Sequence, residues 1–84
     1  MYHLYILECS DKTLYTGIAV DVSRRVEEHN NSQKGAKYTA SRRPVRLVFS
    51  KEFANRSEVL KEECRVKKLP RCKKLDMIGN AIIG

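Results

Sequence analysis

The run YHLYILECSDKTLYTGIAV, residues 2 to 19, restricts the fold more than any other stretch. Two segments rich in aromatic and β-branched residues flank the turn cluster SDKT, which reads as a β-hairpin. Side chains alternate between faces along a strand, so the length of the turn decides which residues share a side. A two- or four-residue loop puts Tyr5 and Tyr15 on opposite faces. An odd loop such as Asp11 to Thr13, with a bulge, pairs Cys9 with Tyr15 and puts both rings on one face. Gly17, inside the second segment, marks a bulge or a close backbone approach.

Beyond the hairpin the period changes. Asp21 offers an N-cap, and Val22, Val26 and His29 recur at the spacing of one helical face that ends near Asn30. Residues 31 to 44, NSQKGAKYTASRRP, are polar and basic without a sustained period and read as a long functional loop. Val45 to Ser50 alternates as a strand. Ser57 or Asn55 caps a second helix, Ser57 to about Leu69, which Pro70 stops or kinks; CKKLDMIGN forms a short third helix closed by Gly79. The expectation is one α+β (mixed α/β) domain over residues 1 to 84. It has a three-stranded sheet flanked by helices, in the order ββαβα plus a short C-terminal helix.

So short a chain buries only about 60 to 65% of its unfolded surface, and its core must be thin. The 17 Lys and Arg outnumber the 10 Asp and Glu, giving a net charge of +7 that draws in polyanions, nucleic acid first among them. Cys9, Cys64 and Cys72 make an odd number without metal-ligand spacing, so neither a disulfide framework nor a zinc site is expected and a reducing compartment fits. An acidic residue by position 8 and no long apolar stretch argue against a signal peptide or membrane span, which makes a cytoplasmic location the expectation.

Three polar residues stand where packing asks for apolar ones. Arg25 and His29 share the side of Val22 and Val26, whereas Arg24 points away. Taken alone, snorkelling of Arg25 beside the core and a helix-dipole contact for His29 are the plainer account. On the second helix Val59, Leu60, Cys64 and Val66 spread over one broad apolar side, with Glu63 near its middle. A carboxylate there must pair with a cation, coordinate a metal or be neutralised, and a rim ion pair is the plainer account.

Together these residues resemble a known family, the GIY-YIG nuclease superfamily of homing endonucleases, excision-repair incision subunits and junction-cutting enzymes. LYI at Leu4 to Ile6 resembles its first motif and YTG at Tyr15 to Gly17 its second. DVSRRVEEHN resembles the helix with its arginine and histidine, and SEVLKEECRVKKL the helix with its glutamate. The run is similar to the small stand-alone bacterial branch called YhbQ-like over residues 4 to about 78. His3 stands where the family name implies glycine, and Ala19 where the branch usually carries a hydroxyl residue.

The resemblance implies a hydrolase that cuts DNA phosphodiesters with one Mg²⁺ or Mn²⁺ held by Glu63. Arg25 would stabilise the phosphoryl oxygens, Tyr15 would orient or deprotonate water, and Tyr5 and His29 would assist it. Lys34, Lys37, Arg42, Arg43 and Arg46 in and beside the basic loop then supply phosphate contacts, and Tyr38 stacks on an unpaired base. With no second domain, the chain is expected to be a monomer that reads DNA structure rather than sequence, RNA also being admissible, or depends on a protein partner for its address. The competing expectation is a catalytically weak or inert nucleic-acid-binding module of the same fold.

Overall fold

A computed structural model describes residues 1–31 and 42–83. Its first elements are the expected hairpin, β1 (Tyr2–Glu8) and β2 (Leu14–Ala19), paired antiparallel. In the turn, Lys12 N donates to Cys9 O at 3.0 Å and Cys9 N donates to Thr13 O at 2.9 Å. Lys12 takes the left-handed conformation with φ of 70°. A β-turn followed by one left-handed residue is a common three-residue hairpin connection. Asp11 Oδ1 braces it, accepting from Thr13 N at 3.1 Å and from the Thr13 hydroxyl at 2.6 Å. The loop is therefore odd, but it is Ser10 to Lys12, and Leu7 rather than Cys9 stands opposite Tyr15. A slip of two residues preserves the face, so Tyr5 and Tyr15 share one side of the sheet, with Gly17 directly opposite Tyr5.

β3 (Arg46–Phe53) pairs antiparallel with the other edge of β1, so the order is β2-β1-β3. It begins one residue later than expected and runs three further. Ile6 opposes Phe49 but Leu7 opposes Leu47, leaving Val48 as a bulge.

As the central strand, β1 is buried on both faces: Leu4 and Ile6 point one way, Tyr5 and Leu7 the other. On the Tyr5 face lies α1 (Val22–Asn31), whose Val22 and Val26 join Tyr15 and Ala19 in packing against the cluster of Tyr5, Leu7, Cys9 and Val45. Asp21 caps it as expected, Oδ1 accepting from Arg24 N at 3.1 Å. On the Leu4 face lie α2 (Arg56–Lys67) and α3 (Arg71–Ile83), contributing Val59, Val66 and Ile78. Asn55 rather than Ser57 caps α2, its Oδ1 accepting from Glu58 N at 2.9 Å. α2 stops before Pro70, whose carbonyl starts α3 by accepting from Lys73 N at 3.0 Å.

Two helix expectations change. α3 is a 13-residue helix that continues through Gly79, so that glycine does not close it. On α2 the buried residues are Val59 and Val66, while Leu60 is 43% exposed and Cys64 faces solvent. The core-facing stripe is narrower than the composition suggested, and Glu63 flanks it, half-buried, instead of occupying its middle.

Candidate active site

The pairing of Tyr5 with Gly17 shapes the α1 face. A Cβ at position 17 would lie 2.5 Å from the Tyr5 hydroxyl and 2.7 Å from Tyr5 Cζ, so only glycine lets the ring lie across β2. This is the close approach anticipated for Gly17, made by a ring instead of a backbone. The Tyr5 hydroxyl then reaches His29 Nε2 at 3.0 Å in a buried bond, with Tyr5 1% and His29 0% exposed. The His29 ring meets both tyrosines edge-on, its centroid 6.0 Å from that of Tyr5 and 5.1 Å from that of Tyr15.

One turn before His29, Arg25 lies near the Tyr5 hydroxyl, close enough for its positive charge to favour the ionised phenol. Its Nη1 donates to Glu28 Oε1 at 3.0 Å, and the exposed Arg24 lies 3.7 Å from the same carboxylate. Burial pushes the Tyr5 phenol up to about 12, outweighing the opposing pull of Arg25. Burial, then the Arg25 charge, pushes His29 below its usual range. Both rings are therefore neutral near pH 7.

Glu63 approaches from α2. Its charge contributes to raising the Tyr5 phenol, which puts it in the neighbourhood of the cluster, and its Oε2 lies 3.3 Å from Lys67 Nζ one turn on. The ion pair offered as the plainer account is present, and so is the proximity to the tyrosine. Among the described residues no group of three or more His, Cys, Asp or Glu could hold a metal ion. A lone carboxylate, 21% exposed, suits an ion that keeps most of its waters and takes its other ligands from a substrate's phosphate oxygens.

The structure thus brings together Tyr5, Tyr15, Gly17, Arg25 and His29, with Glu63 at their margin. The expected phosphate contacts are arranged differently. Arg43 Nε donates to the His29 carbonyl at the end of α1. Arg42 Nε donates to Asp11 Oδ2 at 3.0 Å, and Arg46 Nη2 lies 2.8 Å from Glu8 Oε1. Arg43 is a tie beneath the site, whereas Arg46, 73% exposed, holds its partner through a weak surface pair that a phosphate can replace. Lys34, Lys37 and Tyr38 lie outside the described residues.

Two supporting residues were not singled out from the sequence. Glu28 orients Arg25, and its position three residues along the helix was a readable signal. Asn30 clamps the end of α1 to the start of β3: Oδ1 accepts from Val45 N at 2.7 Å and Nδ2 donates to Val45 O at 3.0 Å. No local pattern reveals a contact made across 15 positions.

Comparison with known proteins supplies the family. The GIY-YIG catalytic domain matches residues 1–76. A UPF0213 protein of Syntrophus aciditrophicus is 54% identical over 76 residues, covering 90% of this chain and 87% of its own. One from Staphylococcus saprophyticus is 49% identical over 78 residues, covering 93% and 94%. Among solution NMR structures, a UPF0213 protein of Bacillus halodurans shares 45% identity with a TM-score of 0.61, covering 94% of this chain and 84% of its own. A protein of E. faecalis shares 39% with a TM-score of 0.68, covering 99% and 88%. The chain belongs to the GIY-YIG family, a nuclease family, in its branch of small stand-alone bacterial proteins.

Proposed function

We propose that this protein is an endonuclease that hydrolyses DNA phosphodiesters with one divalent ion, directed by nucleic-acid structure rather than sequence. One observation carries the reading. Two tyrosines, an arginine and a buried histidine converge on one face, with Gly17 leaving the space that lets Tyr5 reach His29. Packing alone has little use for this set.

Arg25 presents its planar fork to the non-bridging oxygens of the scissile phosphate, where it binds in the ground state and more strongly as charge develops. Tyr5, neutral and engaged with His29, positions rather than abstracts a proton. Tyr15, on the same face and against the His29 ring, orients the attacking water. Glu63 would hold Mg²⁺ or Mn²⁺, which supplies a Lewis acid for the leaving oxygen. The three free cysteines support a reducing, cytoplasmic setting.

The second reading, a binding module without catalysis, is favoured by the Glu63–Lys67 pair, which satisfies the carboxylate without a metal. A cleavage screen over single-stranded, flapped, branched and duplex DNA with Mg²⁺ or Mn²⁺ separates the two. Wild type is expected to cut at least one structure. Glu63→Gln is expected to cut none while binding DNA in EDTA as well as wild type or better, because the amide no longer repels phosphate. Arg25→Ala lowers both activities. Binding without any cutting by wild type selects the binding module, and undiminished cutting by Glu63→Gln removes the metal site.

A further inference from the structure

Beside the hairpin turn, Lys12, Arg71 and Lys74 are cations that the site above does not use. Glu8, the last residue of β1, pairs with Arg46, and Lys12 and Arg71 lie close enough for their charges to add to Arg46 in holding its carboxyl below the usual range. Lys74 joins Arg71 in lining a shallow concavity against Thr13 and Leu14. Lys12 and Arg46 border a neighbouring one with Glu8 and Ser10. Three cations, Arg46, Lys12 and Arg71, thus act on the Glu8 carboxylate, and Lys74 lies beside Arg71. Among the described residues, Lys12, Arg71 and Lys74 form no salt bridge with an acidic side chain.

Fold stability does not account for them. Lys12 occupies a left-handed position, φ 70°, that glycine or asparagine adopts at lower cost. The first turn of α3 carries no acidic residue, so Arg71 and Lys74 repel the positive end of the helix they begin. The group is also near the chemistry. Leu14 faces the α2 and α3 side and Tyr15, the next residue, the α1 side, so Arg71 and Lys74 border the end of the edge strand β2 at the residues that lead into Tyr15.

We propose that Lys12, Arg71 and Lys74 form a second contact for a nucleic-acid backbone, guiding it round the end of β2 between the hairpin turn and Tyr15. The inference rests on the nuclease reading and extends it by naming where the flanking phosphates run. Such contacts supply affinity and register without sequence information, and each releases counterions.

The test is the salt dependence of duplex DNA binding in EDTA, followed by fluorescence anisotropy. Wild type is compared with Lys12→Gln/Arg71→Gln/Lys74→Gln and with a control that removes equal charge elsewhere, Lys51→Gln/Arg56→Gln/Lys61→Gln. With roughly 0.9 unit of slope in log K against log salt per phosphate contact, the first variant loses about 2 to 3 units and the control less than 1. If the triple variant does not fold, Arg71→Gln/Lys74→Gln leaves the turn intact and loses roughly 2 units. An unchanged slope, or equal losses in variant and control, overturns the second contact while leaving the nuclease reading standing. Absence of DNA binding by folded wild type overturns both.

Discussion

The two faces of β1 are built by different rules. Leu4 and Ile6 meet Val59, Val66 and Ile78 in an aliphatic layer, while Tyr5 on the opposite side bonds His29, which Tyr15 meets edge-on, with Arg25 close by. An aliphatic layer tolerates small shifts because dispersion and burial are non-directional. A hydrogen bond of 3.0 Å beneath a ring that leaves no space for a methyl group does not. Alternation along one strand therefore ties the geometry of the polar face to the stability of the apolar one. A site built on a strand whose other side is fully packed is held more firmly than one carried by a loop.

This contrast predicts how each face fails. Leu4→Ala, at a position 0% exposed, is expected to cost about 2 to 5 kcal/mol in urea unfolding, the transfer loss plus a cavity, while the folded fraction keeps its activity. A cost under about 1 kcal/mol would mean that the aliphatic layer is not the stabilising side. Gly17→Ala acts on the other face. The added methyl must displace the Tyr5 ring, so the expectation is a loss of about 1 to 3 kcal/mol together with disruption of the Tyr5–His29 bond, read from the His29 ring resonances. Unchanged resonances in that variant would show that the ring has room to move.

Acid should distinguish the faces as well. His29 has its pKa lowered by folding, so the stability it contributes is complete above its unfolded value of about 6.5 and is lost as pH falls through its lower folded value. Glu8, Asp11 and Glu62 are also held below their ordinary values, but these carboxyls lose their contributions in a more acidic window, below about pH 4. Denaturant midpoints between pH 7 and 5 should therefore fall more for wild type than for His29→Gln. Parallel curves for the two proteins would remove His29 as the responsible group. The smallest effect belongs to the apolar side: Gly79→Ala, where an added methyl meets nothing within 4 Å, should stabilise α3 by about 0.5 to 1 kcal/mol.

Much of this contrast was legible in the chain, and the errors have physical causes. The shared face of Tyr5 and Tyr15 followed from an odd turn, but the register did not, because Lys12 takes a left-handed position usually advertised by glycine. Arg25 and His29 could be placed inward by their spacing with Val22 and Val26. On α2 the same method set Glu63 too centrally, since Leu60 and Cys64 look apolar in sequence yet face solvent. Gly79 was read as a stop, although a 13-residue helix packed through Ile78 tolerates one glycine. The engagement of Arg43 with the His29 carbonyl and of Asn30 with Val45 depends on the tertiary meeting of α1 and β3, to which no local period points.

The central claim is that the polar face receives the phosphodiester. It is tested most directly by titrating metal-free protein with duplex DNA at low salt and following ring, guanidinium and methyl NMR resonances in one experiment. The account predicts saturable shifts of Tyr15, His29 and Arg25, with the methyls of Leu4, Ile6 and Val59 on the opposite face unmoved. Saturable shifts that leave Tyr15, His29 and Arg25 in place would contradict it.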